Sequence, residues 1–158
     1  MSYYIDIQNA TEDPLPIKEE DLTRWATLAL RDHQQEAELT VRIVNQDEMI
    51  HLNNTYRKQN KTTNVLAFPS VLPPGIKLEC PFLGDVVICP PVLFDESNQL
   101  KKTLESHWAL ILIHGILHLL GYDHIKDDEA TIMQAIEIKL LAELGYSNPY
   151  DAEGIELE

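Results

Sequence analysis

Residues 108–124 read WALILIHGILHLLGYDH. From 108 to 120 the run is apolar apart from two histidines and a glycine, which predicts a helix wrapped in protein on every side. It is too short and too polar to span a bilayer, which takes about 20 apolar residues. Gly121 is placed to end the helix, because glycine takes the left-handed conformation just past a last turn without penalty. A helix buried all round has to be covered by other elements of the domain, strands or helices.

The flanking sequence supplies both. Residues 65–68 and 84–89 (GDVVIC) are short apolar runs stopped by Pro69 and by Pro90 and Pro91, as strands are. Leu39, Val41 and Ile43 alternate with Thr40 and Arg42 in the period-two pattern of a half-buried strand, and residues 3–8 alternate more weakly. Residues 17–33 carry Leu22, Trp25, Ala26, Ala29 and Leu30 at helical spacing, and Asn45 offers an N-cap for a short helix to about residue 56. After Pro91 the pattern is helical over 92–100, 104–120 and 127–144, with Gly145 closing the last segment. Residues 70–82, with three prolines and a glycine, are expected as a loop suited to an edge or lid role. Strands come mostly first and helices mostly last, so the expected fold is α+β, a small mixed sheet covered by helices.

Composition sets the limits. The 158 residues are expected to form one domain, 1–158, large enough to hold a core without a structural metal. Hydrophobic residues at 44% and charged residues at 24% exclude disordered, collagenous and disulfide-scaffold classes. A net charge of -14 argues against coating DNA or an anionic membrane by bulk attraction, leaving nucleic acid only a local basic patch. The two cysteines, Cys80 and Cys89, lack C-x-x-C spacing and are expected as small hydrophobes in a reducing compartment. With no secretory signal visible at the N-terminus, the expected location is the cytoplasm.

His114 and His118 lie four apart on the central helix, so both imidazoles project from one face and can hold one metal ion. The turn at Gly121 can bring back His124 as a third ligand. Three neutral imidazoles suit zinc, and three protein ligands leave an open position for chemistry. His107 lies about 10 Å further along the axis and cannot share that ion, so it is expected to support a ligand, line a channel or sit on the surface.

The spacing H-x-x-x-H-x-x-G-x-x-H is shared with metzincin proteases, whose general base follows the first histidine. Gly115 stands there, so spacing points toward proteolysis and chemistry away from it. A glycine inside a helix costs about 1 kcal/mol relative to alanine. Either a neighbouring segment packs against Gly115 or a substrate approaches there.

Residues 49–78 contain no Asp or Glu but carry Arg57, Lys58, Lys61 and Lys77, a segregation that fits phosphate contacts, with Arg57 as the bidentate candidate. Asp85 is a candidate to orient a histidine or to cap a turn, and Asp123 a candidate to support the site or move a proton. The acidic run 127–129 is expected to start the last helix. No general base is evident.

HGILHLLGYDH at 114–124, YRKQNKTTNVLAFP at 56–69 and GDVVIC at 84–89 together resemble the YbeY family of bacterial endoribonucleases, or rRNA maturation factors, over roughly residues 38–150. The resemblance implies a zincin-like α+β fold and one zinc ion per chain on His114, His118 and His124. It implies single-strand-specific RNA cleavage in ribosomal RNA processing, notably at the 3′ end of small-subunit rRNA, and in ribosome quality control. Arg57 matches the arginine associated with activity. Implied partners are single-stranded ribosomal RNA, the small ribosomal subunit, a small-subunit ribosomal protein and a ribosome-assembly GTPase, with no DNA and no membrane. Asn64 stands where many members have Asp, and Ala67 where many have Ser. Two rivals remain: a zincin-type metalloprotease, and a non-catalytic ribosome assembly factor in which zinc fixes the turn at His124.

Overall fold

The computed structural model describes residues 2–71, 80–123 and 125–151. Its sheet contains β1 (Ser2–Asn9), β2 (Glu36–Ile43), β3 (Val65–Pro69) and β4 (Phe82–Ile88) in the order β1-β2-β4-β3. β1, β2 and β4 run parallel, and β3 lies antiparallel to β4 at one edge. Parallel neighbours need a crossover, which α1 (Glu19–Leu30) provides between β1 and β2. Then α2 (Gln46–Arg57) precedes β3, and α3 (Pro90–Leu100), α4 (Leu104–Leu119) and α5 (Asp127–Glu143) follow β4. The fold is a mixed α+β one, as the order of patterns predicts. The loop expected over 70–82 lies largely outside the described residues, and so does Lys77.

The faces of the sheet divide its helices. Val86, Ile88 and Val65 join the main core with α1, α4 and α5, while Val87 and Leu66 point the other way and meet Met49 of α2. Period-two alternation thus seats α4 on one face and α2 on the opposite one. Both helices end beside β3. Helix α4 is the middle of the structure: Leu110, Ile111, Leu112, Ile113, Ile116 and Leu117 are all buried, against α1, α3, α5 and the sheet.

Local signals explain the boundaries. Asn45 accepts a hydrogen bond from the Glu48 amide at 2.9 Å, the expected cap of α2. Beyond α4 the amide of Gly121 donates to the carbonyl of His118 at 3.1 Å and that of Tyr122 to Leu117 at 3.0 Å, the paired bonds of a Schellman stop, with Gly121 at φ +104°. Of the boundaries that differ from the sequence reading, three have a clear local cause. Strand β2 starts earlier, at Glu36, because Ala37 is fully buried in register with Tyr3 although alanine and glutamate are weak strand formers. Helix α3 starts at Pro90, since proline at a first helical position lacks only an amide that would have no partner. Strand β4 starts at Phe82 and runs through Gly84 at φ +136°, beside a register shift in β2; a Cβ there would lie 2.1 Å from the Phe68 carbonyl oxygen.

Gly115 sits against the sheet. A Cβ on it would lie 2.7 Å from one Val86 methyl and 3.2 Å from one Val65 methyl. Close packing of α4 on β3 and β4 therefore accounts for this glycine, and its Cα faces side chains rather than an open substrate path. Gly115→Ala should lower stability by about 1 kcal/mol, up to about 2, because overpacking of roughly 1–3 kcal/mol is only partly offset by a gain of about 1 kcal/mol in helix propensity. A raised melting temperature would show that Val86 and Val65 yield.

Candidate metal centre

The final two turns of α4 carry His114 and His118. Their rings meet edge to face with centroids 4.6 Å apart, and the two Nε2 atoms are 3.1 Å apart. Adjacent ligands of a tetrahedral zinc, each at about 2.05 Å, are separated by roughly 3.3 Å. The two nitrogens thus converge as a pair of ligands does. On its other side, His114 Nδ1 lies 2.7 Å from Oε2 of Glu137 on α5. Glu137 is fully buried, and its Oε1 accepts a 2.5 Å hydrogen bond from the Tyr150 hydroxyl. Burial, reinforced by the neighbouring Glu137 charge, raises the Tyr150 pKa far above its usual value, so this hydroxyl stays a donor. A carboxylate at Nδ1 favours a proton on that nitrogen and leaves Nε2 of His114 as a lone-pair donor toward His118. The donor set fits zinc.

His124, the expected third ligand, lies outside the described residues. Among those described, no group of three His, Cys, Asp or Glu side chains converges on one point.

An open groove of about 640 Å³ passes over His118. Tyr56 and Arg57 reach it from the end of α2, β3 forms its wall, and Tyr122 and Asp123 enter from the turn beyond α4. Arg57 and His118 arrive from helices on opposite faces of the sheet and share the groove around the edge strand β3. Residues 61 apart in the sequence thereby share one cleft. Asp123 lines it beside them. Lys58 and Lys61 are exposed on the segment that follows α2 and do not line the groove. Lys58 itself is left-handed, at φ 56°, and turns the chain away immediately after Arg57.

Other candidates fall elsewhere. His107 is buried rather than on the surface: its Nε2 lies 2.9 Å from Glu96, whose carboxylate also accepts from the Asn64 amide at 3.2 Å. That link ties α3 and α4 to the segment leading into β3. Asp85 pairs with Phe68 in the sheet, and the carboxylate on His114 Nδ1 is Glu137 instead. Cys89 is buried at the start of α3, where burial pushes its thiol up; the Thr62 hydroxyl lies 3.9 Å from its sulfur. Glu137 was readable in principle, since it stands on the buried face of α5 with Met133, Leu140 and Leu141. A carboxylate at such a position needs a partner.

Comparison with known proteins gives one consistent match. The sequence model of the family described as "Endoribonuclease YbeY" matches residues 6–145. A protein of that name from Legionella pneumophila (strain Corby) is 68% identical over 158 residues, covering 100% of both chains. One from Psychromonas ingrahamii is 49% identical over 159 residues, covering 97% of this chain and 99% of the relative. A solution structure of a Thermotoga maritima protein superposes with a TM-score of 0.61 at 26% identity, over 89% of this chain and 88% of that one.

Proposed function

The chain belongs to the YbeY endoribonuclease family, and from that premise we propose that it is a zinc-dependent endoribonuclease acting on single-stranded RNA, with a zincin-like site. The observation that carries the reading is the convergence of the His114 and His118 Nε2 atoms at a groove that also takes Arg57. His114, His118 and His124 would hold the zinc ion. Bound there, zinc supplies Lewis-acid polarisation of a phosphoryl oxygen and neutralises developing charge. Glu137, held by Tyr150, fixes the tautomer and the ring orientation of His114. Arg57 binds and orients the phosphate and opposes the negative charge that grows on it. The proposed setting is ribosomal RNA processing, at the 3′ end of small-subunit rRNA, and ribosome quality control in the cytoplasm. The small ribosomal subunit, one of its proteins and an assembly GTPase are the proposed partners. Among the described residues no helix is long and apolar enough to cross a membrane.

Proteolysis loses its support at Gly115. The position that carries the base in metzincins is packed against Val86 and Val65, so no side chain from there can reach a substrate. The test is direct. Highly purified protein is offered a single-stranded RNA, the same sequence as a duplex, and casein, with and without a chelator. Cleavage confined to the single strand and restored by zinc supports the reading. Cleaved casein would favour the protease, and intact RNA with retained binding to the small subunit would favour the assembly factor.

Glu137 provides a further check. Glu137→Gln should keep the fold while weakening zinc affinity about 10- to 100-fold, the usual effect of removing a carboxylate behind a ligating histidine. Unchanged affinity in a chelator competition would remove Glu137 from the centre.

A further inference from the structure

Tyr56 is 65% exposed, although it lies directly before Arg57 and beside the groove. Its ring meets Phe68 edge to face, with centroids 5.0 Å apart and an interplanar angle of 65°. Phe68 is itself anchored, packed against the cluster of Leu66, Val87 and Met49 between the sheet and α2. A contact of this kind engages one side of the tyrosine ring, and its exposure leaves the rest to solvent. Ring and guanidinium occupy successive positions at the last turn of α2, so they diverge by about 100° around the helix axis and reach different parts of one ligand. The ligand must present a phosphate to one and a flat, weakly polar face to the other.

A nucleotide does this. Resting on the ribonuclease reading, we propose that Tyr56, propped by Phe68, is a stacking platform for the nucleobase that flanks the phosphate contacted by Arg57. The surroundings favour that occupant over a peptide side chain: residues 49–71 hold no Asp or Glu and carry Arg57, Lys58 and Lys61. Base stacking on an aromatic face tolerates any sequence, because every base has a π-face. It also selects against duplex. A base already stacked and paired cannot accept a tyrosine, so the platform makes unpaired RNA the ligand.

The experiment is a double-mutant cycle across the interface. Wild type, Tyr56→Ala, Tyr56→Leu and Tyr56→Trp are tested for binding to, and single-turnover cleavage of, an oligoribonucleotide carrying one abasic residue at successive positions around the cleavage point. At one flanking position the missing base should weaken wild-type binding roughly tenfold. The same loss should follow Tyr56→Ala on the intact oligonucleotide, and the two together should cost no more than either alone. Tyr56→Leu keeps an apolar contact with Phe68 but has no ring and should behave as alanine does, while Tyr56→Trp should retain binding. Additive losses, or an intact oligonucleotide bound equally well by Tyr56→Ala, would overturn the platform and leave the ribonuclease standing. A wild type that neither binds nor cleaves single-stranded RNA would remove both.

Discussion

A His118→Ala protein should fold, melt near the parent temperature, carry no stoichiometric zinc and cleave RNA at least roughly 10³-fold more slowly, the loss of several kcal/mol of charge stabilisation at phosphorus. The fold is expected to survive because its core does not depend on the site. Helix α4 is held by apolar contacts from Trp108 to Leu117 with three helices and a sheet, and His118 is only half-buried at its end. A domain of this size buries enough surface to stand alone. His114 makes a poorer control. Its replacement would leave a fully buried Glu137 carboxylate oxygen without the imidazole N–H beside it, and an unsatisfied buried acceptor costs about 1–3 kcal/mol, more when it is charged. Lost activity in His114→Ala would then mix unfolding with metal loss. Metal analysis, circular dichroism and single-turnover cleavage on one His118→Ala preparation decide the matter. A metal-free protein that is unfolded would make the zinc structural, and a metal-free protein that still cleaves RNA at the parent rate would end the zinc mechanism.

What the sequence revealed divides along physical lines. Signals confined to a few residues read correctly: the N-cap at Asn45, the stop at Gly121, the alternation from Leu39 to Ile43, and the pairing of His114 with His118 on one helical face. Each is fixed by backbone geometry within one or two turns. Charge segregation singled out Arg57, but its place in one groove with His118 was not legible. That proximity arises because β3 is an edge strand with α2 on one face and α4 on the other, a consequence of strand order. Glu137 reaches His114 through the packing of α5, Tyr150 reaches Glu137 from the segment beyond that helix, and no local pattern in α4 points to either. Gly115 illustrates the intermediate case, in which the sequence posed two explanations and the position of Val86 chose between them. The surface reading of His107 failed because the carboxylate that partners its buried ring, Glu96, belongs to a different helix.

Arg57→Ala should lower kcat by about 2–4 kcal/mol, a factor of roughly 30 to 10³, with a smaller change in substrate binding. The direction follows from charge: the scissile phosphate grows more negative toward the transition state, so a fixed cation stabilises that state more than the ground state. Structural explanations have little room. Arg57 is exposed at the last turn of α2, where a cation favours the helix dipole by about 0.3–1 kcal/mol and an exposed ion pair contributes about 0–1 kcal/mol. The melting temperature should therefore fall only slightly and zinc content should not change. Arg57→Lys separates charge from shape, because lysine keeps the cation but loses the planar fork that grips two phosphate oxygens. Its activity should fall between those of alanine and arginine. Lys58→Ala and Lys61→Ala should instead weaken binding and flatten its salt dependence with turnover preserved, since both lie outside the groove and can only track the RNA backbone. Single-turnover rates measured beside melting temperatures test the assignment. A stable, zinc-replete Arg57→Ala protein with normal turnover would take Arg57 out of the mechanism and leave the metal centre to act on phosphate alone.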